Sequence, residues 1–311
     1  MVMESNSVSP MPELAPIAEF DKTPPTPPED ALPMDDLPPP PTTVVNVQEE
    51  KEKEVEAEAK AHRHYEDENE WGCGSWLEYT FVVVCASILL LGSLGLTLFW
   101  VIQYREGFAW RDEPAKEFNL HPVLMVAGFI TFSGFSILLY RICRCCRRIY
   151  VKLLHTIFHA LAIPCIAVGF LTVLDSHNLA NPPIANFYSL HSWIGFVTMG
   201  LFAIQFVVGF FSFLILLCCE GATAGFRAAL VPIHASFGLT TFMLAIAAAL
   251  TGLTEKALFT LKNRYSLREE EAIIINTIGM SLIALAIIIS YILQREEFRF
   301  RAHILIRSGD L

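Results

Sequence analysis

The chain has 311 residues, of which 53% are hydrophobic, and its mean hydropathy is +0.46. This composition excludes an ordinary soluble domain, which is far less apolar. The formal net charge of -10 does not favour nucleic acid as a partner. We therefore expect an integral membrane protein that binds no nucleic acid.

The N-terminal segment is the most polar part of the chain. Its first 70 residues hold 12 of the 18 prolines and much of the negative charge, and such a segment cannot bury enough apolar surface to fold. We predict a disordered acidic tail over 1–70, a membrane domain over 71–295 and a short tail over 296–311.

Six apolar runs follow, and each is long enough to cross a hydrocarbon core of ~30 Å as a helix. They are continuous rather than alternating, which favours helices over barrel strands. They cover about 79–102, 120–140, 150–174, 188–217, 230–253 and 272–293. We predict an all-α integral membrane protein with six transmembrane helices. The Arg-rich turn at 141–152 predicts that both termini face the cytosol.

Four histidines each lie a few residues inside the start of a different apolar run: His121, His155, His191 and His234. Ionisable side chains at membrane depth are rare without a function. Because consecutive helices alternate in direction, the first and third histidines are predicted near the outer surface, and the second and fourth near the inner one. Two facing pairs suit two bis-imidazole haems within a bundle of helices two to five, roughly 20 Å apart.

The four histidines also fit two roles that need no haem. Each could be an isolated polar residue bonded to a neighbouring carbonyl, or the set could line a metal or proton pathway. Gly128, Gly195 and Gly238 lie four or seven residues after one of the histidines, where a flat macrocycle needs room. Glycines also serve helix packing in membranes, so their support for haem is modest.

The inner pair has a second candidate on the same helix face. His159 lies one turn after His155 and could compete with it as a ligand. We predict His155, because its depth matches that of His234, whereas His159 lies about 6 Å deeper by helix rise.

Basic residues lead up to the inner histidines. Arg148 and Lys152 are one turn apart before His155, and Arg227 lies seven residues before His234. Such a set could hold an anionic reductant through charge-assisted hydrogen bonds. The general preference for positive residues on the cytosolic side of a membrane protein accounts for this pattern without a ligand.

The outer surface carries a different chemistry. It offers His177, Asp175, Glu255 and Glu271, a mixture of imidazole and carboxylates suited to a metal cation. We predict a weak outer iron site at His177 that is helped by Glu271. A helix-capping loop with an incidental histidine is the alternative.

Several segments together resemble the cytochrome b561 family over about 95–295: FNLHPVLM (118–125), LLYR (138–141), KLLH (152–155), NFYSLHSW (186–193), PIH (232–234) and GLTEKALF (252–259). YREG at 104–107 is similar to the ascorbate-dependent ferric reductase branch of that family. The resemblance implies two b-type haems, with His121 and His191 on one and His155 and His234 on the other.

The resemblance also implies roles for further residues. Those at the inner haem would be Arg141 and Arg148, and those at the outer haem Asn186, Tyr188, Ser189 and Glu255. Cytosolic ascorbate would contact Arg148, Lys152 and Arg227, and the outer metal ion would meet His177. The chain departs from the reductase pattern in having Arg148 where lysine is expected and two extra residues before SLHSW.

The expected function is electron transfer from cytosolic ascorbate, through the inner and then the outer haem, to ferric iron on the other side. The first alternative is reduction of monodehydroascorbate inside a secretory vesicle. An alternative of another class is a haem-free membrane adaptor that binds partners through its long tail. We expect a plasma, endosomal, lysosomal or secretory-vesicle membrane, and a homodimer, as is common in the family.

Overall fold

A computed structural model describes residues 55–56, 73–143, 146–295 and 298. Within these ranges the regular structure is helical throughout and contains no strand. The predicted tails over 1–70 and 296–311 lie outside the described residues, apart from 55, 56 and 298.

The membrane domain is a succession of helices. The α-helices are α1 (Cys73–Tyr104), α2 (Pro114–Glu117), α3 (Leu120–Met125), α4 (Ser133–Ile142), α5 (Arg148–Asn178), α6 (Leu190–Phe213), α7 (Glu220–Leu261) and α8 (Glu270–Gln294). A π-helical segment, Val126–Phe132, joins α3 to α4. Short 3-10 segments, Ile215–Cys219 and Lys262–Leu267, follow α6 and α7.

Six helical spans in the described chain are long and apolar enough to cross a membrane: Trp76–Tyr104, Pro114–Ile142, Arg148–Asn178, Leu190–Cys219, Gly221–Leu267 and Glu270–Gln294. The predicted all-α fold with six transmembrane helices is confirmed. The protein is therefore a multi-pass membrane protein.

The fifth span is longer than its apolar run at 230–253. Arg227 lies before the run, and Glu255 and Lys256 lie after it, yet α7 continues through all three. Helical hydrogen bonding does not require apolar side chains, so the helix extends beyond the segment that hydropathy detects. The histidine-bearing span thus carries charged residues at both ends.

The spans associate mainly as antiparallel pairs. Spans two and three form one pair, which we call the first hairpin, and spans four and five form the second hairpin. Spans one and six pair with each other. One face of α8 carries a stripe of fully buried side chains, which are Ile278, Leu282, Leu285, Ile289 and Ile292. The spacing of three or four residues is that of one helix face.

The first hairpin is closed by a glycine. A Cβ atom at Gly128 would lie 2.9 Å from Ile166 Cγ1 and 3.1 Å from the Ala162 carbonyl oxygen. Gly128 therefore allows spans two and three to approach each other, and it does not provide room for a macrocycle. It lies in the π-helical segment, where the Ser133 hydroxyl donates to its carbonyl at 3.0 Å.

Candidate functional site

The outer histidine pair connects the two hairpins. His121, on α3, and His191, on α6, have ring centroids 6.0 Å apart with planes at 85°. His121 Nδ1 lies 2.9 Å from the Gly169 carbonyl oxygen, and His191 Nδ1 lies 2.8 Å from that of Ala248. Each ring is thus hydrogen-bonded within its own hairpin. A proton on Nδ1 leaves Nε2 with its lone pair, as a metal ligand requires.

The inner pair repeats this arrangement near the opposite ends of the spans. His155, on α5, and His234, on α7, have ring centroids 6.2 Å apart with planes at 70°. His155 Nδ1 lies 3.0 Å from the Ser136 carbonyl oxygen on α4. His234 Nδ1, by contrast, is buried and makes no hydrogen bond with the described residues.

His159 lies beside the inner pair. Its ring centroid is 4.6 Å from that of His155 and 5.6 Å from that of Phe202. Its Nδ1 is buried and also makes no hydrogen bond within the described chain. His159 is thus a neighbour of the inner pair, packed between His155 and an aromatic side chain.

The separation between the inner and outer pairs along the helix is the same in both hairpins. His155 precedes Gly169, the partner of His121, by 14 positions, and His234 precedes Ala248, the partner of His191, by 14 positions. At 1.5 Å per residue both offsets correspond to roughly 21 Å. The same offset from His159 is only ten positions. The matching offsets favour His155 over His159.

The geometry fits a haem iron between the rings of each pair. Metal–imidazole bonds of roughly 2 Å on both sides, together with the radii of the rings, put two axial centroids roughly 6 Å apart. A Cβ atom at Gly195 or Gly238 would meet no atom within 4 Å, so there is open space one turn after His191 and His234. The residues present therefore suit a flat macrocycle with two axial imidazoles.

Two other glycines contact the rings of paired histidines directly. A Cβ atom at Gly252 would lie 2.7 Å from His191 Cε1, and one at Gly209 would lie 2.8 Å from His234 Cε1. Both close approaches occur between spans four and five. In the second hairpin, glycine therefore makes room for the imidazole rings themselves.

His177 stands outside the outer pair. Its ring is stacked on Phe118 at 6.3 Å and 13°, and the Phe118 centroid is 5.9 Å from that of His121. His177 Nδ1 lies 2.9 Å from Asn186 Oδ1, and Asn186 Nδ2 donates to Asn178 Oδ1 at 2.9 Å. Asn186 thus contacts His177, and its expected role at the outer haem stays a prediction.

Glu271 has other partners than His177. Its Oε1 accepts from Trp100 Nε1 at 3.0 Å and lies 3.3 Å from an Arg105 terminal nitrogen. It is 8% exposed. Within the described residues, no group of three or more His, Cys, Asp or Glu side chains could hold a metal ion. Glu271 is thus bound to the first span, and its help to an outer iron site stays a prediction.

Lys256 is a cation near the outer pair. Its Nζ lies 3.8 Å from the centroid of Phe118, and its side chain is half-buried. The nearby carboxylate Glu271 is paired with Arg105. The outer site therefore combines imidazoles with the positive charge of Lys256, since the charge of Arg105 is paired with that of Glu271.

The basic residues of the inner side lie near the starts of two histidine-bearing helices. Arg148 is the first residue of α5, Lys152 follows one turn later, and Arg227 lies two turns before His234 in α7. The N-cap residue Arg147 makes no side-chain cap hydrogen bond. A helix start of this kind favours an anion, since backbone N–H groups and the helix dipole point toward it.

The Arg141 side chain extends from α4 to the C-terminal end of α8. Its guanidinium donates to the Leu293 carbonyl oxygen and, at 3.3 Å, to that of Arg295. It is 7% exposed. These bonds supply donors to the last carbonyls of α8. Contact between Arg141 and the inner haem stays a prediction.

The remaining sequence-predicted residues lie around the start of α6 and the end of α7. Ser189 is the N-cap of α6, and its side chain accepts from the Ser192 backbone nitrogen in a capping box. It thus starts the helix that carries His191. Tyr188 is exposed and Glu255 is half-buried.

Sequence reasoning did not single out Ser136, Phe118, Lys256, Gly209 or Gly252. Lys256 has a visible signal, because it is a cation next to an apolar run that predicts a span. The other four are ordinary membrane-helix residues by type. Their contacts with the histidines depend on how the spans are rotated against each other.

Comparisons with known proteins identify the family of this chain. The family model for eukaryotic cytochrome b561 matches residues 120–260, a range that contains all four paired histidines. A plasma membrane ascorbate-dependent reductase, CYBRD1, of Xenopus tropicalis is 43% identical over 209 residues, which are 66% of this chain and 71% of that protein.

Two further relatives are also named as ascorbate-dependent proteins. The human lysosomal membrane ascorbate-dependent ferrireductase CYB561A3 is 40% identical over 223 residues, or 68% of this chain and 89% of that protein. The transmembrane ascorbate-dependent reductase CYB561 of Ovis aries is 36% identical over 219 residues, or 70% and 84%. Given these identities and the matching family model, this chain belongs to the cytochrome b561 family of haem-binding b-type cytochromes.

Proposed function

We propose that this protein transfers electrons across its membrane from cytosolic ascorbate, through two b-type haems, to ferric iron on the other side. The observation that carries the proposal is the pair of imidazole clusters, each with centroids about 6 Å apart and each spanning both hairpins. Their offset of roughly 21 Å along the helices suits one haem near each surface.

The haems would supply one-electron redox chemistry with both axial positions filled, which disfavours oxygen activation. His121 and His191 would hold the outer one, and His155 and His234 the inner one. Carbonyl acceptors would fix the tautomer of three of these histidines, with the ring proton on Nδ1. The open space at Gly195 and Gly238 would accommodate the macrocycles.

Ascorbate is an anion, and the inner end of the bundle suits one. Arg148 and Lys152 occupy the first turns of α5, whose start has no side-chain cap. Arg227 brings a third cation from α7 on the His234 side. Charge-assisted hydrogen bonds from these groups would hold the reductant next to the inner haem.

Ferric iron is proposed as the outer acceptor, and His177 as its protein ligand. The bond between His177 Nδ1 and Asn186 Oδ1 orients the imidazole and leaves Nε2 for a metal. A single imidazole with partial coordination suits turnover, because the ferrous product must leave. Glu271 already accepts from Trp100 and Arg105 through Oε1, which leaves Oε2 as the oxygen that would assist.

Monodehydroascorbate is the second candidate acceptor, and Lys256 is the observation that favours it. The Lys256 ammonium lies over Phe118 beside the outer pair, while the neighbouring carboxylate Glu271 is already paired with Arg105. A cation there would attract an anionic acceptor. The two candidates therefore differ in whether His177 or Lys256 governs turnover.

The membrane is proposed to be the plasma membrane or an endosomal, lysosomal or secretory-vesicle membrane, with both termini cytosolic. Plasma and lysosomal membranes are those named for two of the relatives. A homodimer is proposed from the family resemblance alone.

The test uses the purified full chain in sealed lipid vesicles loaded with ascorbate. We expect reduced b-type haem bands, followed by formation of ferrous iron when a ferric chelate is added outside. Vesicles without the protein and protein-containing vesicles without ascorbate are the controls. Absence of haem bands would contradict the proposal and favour the adaptor. If the haems are reduced and then pass electrons to external monodehydroascorbate but not to ferric iron, the second candidate is favoured.

A further inference from the structure

We propose that Ser136 is a positioning residue that lowers the reduction potential of the inner haem through its hydrogen bonds to His155. This inference rests on the proposed function, because it requires His155 to be an axial ligand. It assigns to a serine of the second span a control over the direction of electron flow.

Ser136 contacts His155 at three points. Its hydroxyl oxygen lies 2.9 Å from His155 Nδ1, and its carbonyl oxygen lies 3.0 Å from the same nitrogen. The hydroxyl also donates to the His155 carbonyl oxygen at 2.8 Å. Ser136 is fully buried, so water does not compete for these bonds.

The protons of this cluster can be assigned from the chemistry of the ligand. An iron-bound His155 must use Nε2, so its ring proton is on Nδ1. The hydroxyl proton of Ser136 is directed to the His155 carbonyl, which leaves the hydroxyl oxygen as an acceptor. The Nδ1–H group therefore has two acceptors, the carbonyl and the hydroxyl of one residue.

Among the residues that the structure describes, no hydroxyl is bonded to Nδ1 of the other three paired histidines. His121 and His191 each have one carbonyl acceptor at Nδ1. The Nδ1 atom of His234 makes no hydrogen bond within the described residues. The additional acceptor thus distinguishes the inner site from the outer one.

A second acceptor at Nδ1 gives the imidazole more negative character and makes it a stronger donor to iron. A stronger donor stabilises the oxidised iron, so the potential of the inner haem falls relative to that of the outer one. One electron then passes more favourably from the inner to the outer site. The hydroxyl of Ser136 would therefore bias transfer away from the ascorbate side.

The experiment is a spectroelectrochemical titration of the full chain carrying both haems, with the substitution Ser136→Ala. We expect the ratio of reduced to oxidised inner haem at a fixed potential to rise about threefold, which is about 28 mV at 59 mV per tenfold. The outer haem should keep its potential. Ser136→Thr, which retains the hydroxyl, should restore the lower potential.

Ser133→Ala is the matched control. Ser133 is also a buried serine of the second span, but its hydroxyl donates to the Gly128 carbonyl. Both potentials should be unchanged in this variant. If Ser136→Ala does not retain the inner haem, the variant Ser136→Cys is used in its place. The thiol is a weaker acceptor than a hydroxyl, so the reduction potential of the inner haem should be higher in Ser136→Cys than in Ser136→Thr.

The role of Ser136 would be overturned if the inner haem had the same reduction potential in Ser136→Ala and in the unchanged protein, both with full haem content. The proposed function would then remain intact. Equal potentials for Ser136→Cys and Ser136→Thr would do the same if the alanine variant loses haem. A protein without haem bands would instead overturn the proposed function.

Discussion

The outer and inner histidine pairs have nearly the same ring separation but different support. Both outer rings donate from Nδ1 to main-chain carbonyls, at 2.9 and 2.8 Å. In the inner pair, His155 is bonded to Ser136, whereas His234 has no Nδ1 partner among the described residues and Gly209 packs against its ring. The outer site is therefore held on both sides and the inner site on one.

This difference shows that two similar histidine pairs can be supported by different means. Main-chain carbonyls, which substitution does not remove, accept from Nδ1 of His121, His191 and His155, so these three bonds do not depend on side-chain type. The inner site depends on a serine and on packing against His159 and Phe213. The inner pair is accordingly the one whose hydrogen bonding a side-chain substitution can change.

The largest expected effect is loss of one haem. His121→Ala or His191→Ala should remove the outer haem and leave most of the inner one, and His155→Ala or His234→Ala should do the converse, because each change removes an axial ligand. Haem content per protein measures this. His159→Ala is the matched control and should retain both haems. Loss of the inner haem from this control, with retention in His155→Ala, would reverse the ligand assignment.

The next largest effect concerns the reductant. Lys152→Ala and Arg227→Ala should each remove a charge-assisted contact worth about 1.5–3 kcal/mol, which weakens the apparent ascorbate affinity about tenfold to a hundredfold. Both haems should stay bound. The rate of haem reduction against ascorbate concentration is the measurement. Lys262→Ala, which replaces an exposed basic residue directly after α7, is the control. Unchanged ascorbate dependence in both variants would mean that these residues only set topology.

Overpacking against the histidine rings should affect the outer and inner sites to different extents. Gly252→Ala and Gly209→Ala introduce a methyl group within 2.7 Å of His191 and 2.8 Å of His234, respectively. We expect a cost of about 1–3 kcal/mol in each case, larger at His191 because its hydrogen bond to Ala248 prevents it from moving aside. Haem occupancy after mild heating measures the cost.

Gly200→Ala is the control for this pair, since a Cβ atom there would meet nothing within 4 Å. A greater loss of haem from Gly209→Ala than from Gly252→Ala would show that the hydrogen bond of His191 does not limit its movement.

The smallest effect is expected at the acceptor. His177→Ala should slow outer ferric reduction severalfold without changing the haem spectra or haem reduction by ascorbate, because His177 belongs to neither pair. Asn186→Ala should have a weaker effect in the same direction, since Asn186 only orients His177. Intact ferric turnover with impaired monodehydroascorbate reduction would favour the second acceptor.

Much of the fold could be predicted because lipid imposes a local rule. A chain in hydrocarbon must satisfy its backbone hydrogen bonds within each segment, so a continuous apolar run predicts a helix without knowledge of its neighbours. The six spans follow from this rule. The π-helical segment Val126–Phe132 and the length of the fifth span do not, since hydropathy does not report helix geometry or helix ends.

The sequence by itself determined the number of spans and the depth of the four histidines, because alternating helix direction and a constant rise per residue follow from the chain alone. Only the tertiary structure decided the partners: Ser136 for His155, Asn186 for His177, and Trp100 and Arg105 for Glu271. It also distinguished Gly128, which lets the first hairpin close, from Gly209 and Gly252, which contact histidine rings. These contacts depend on the rotation and register of one helix against another, and a local hydropathy pattern does not contain either.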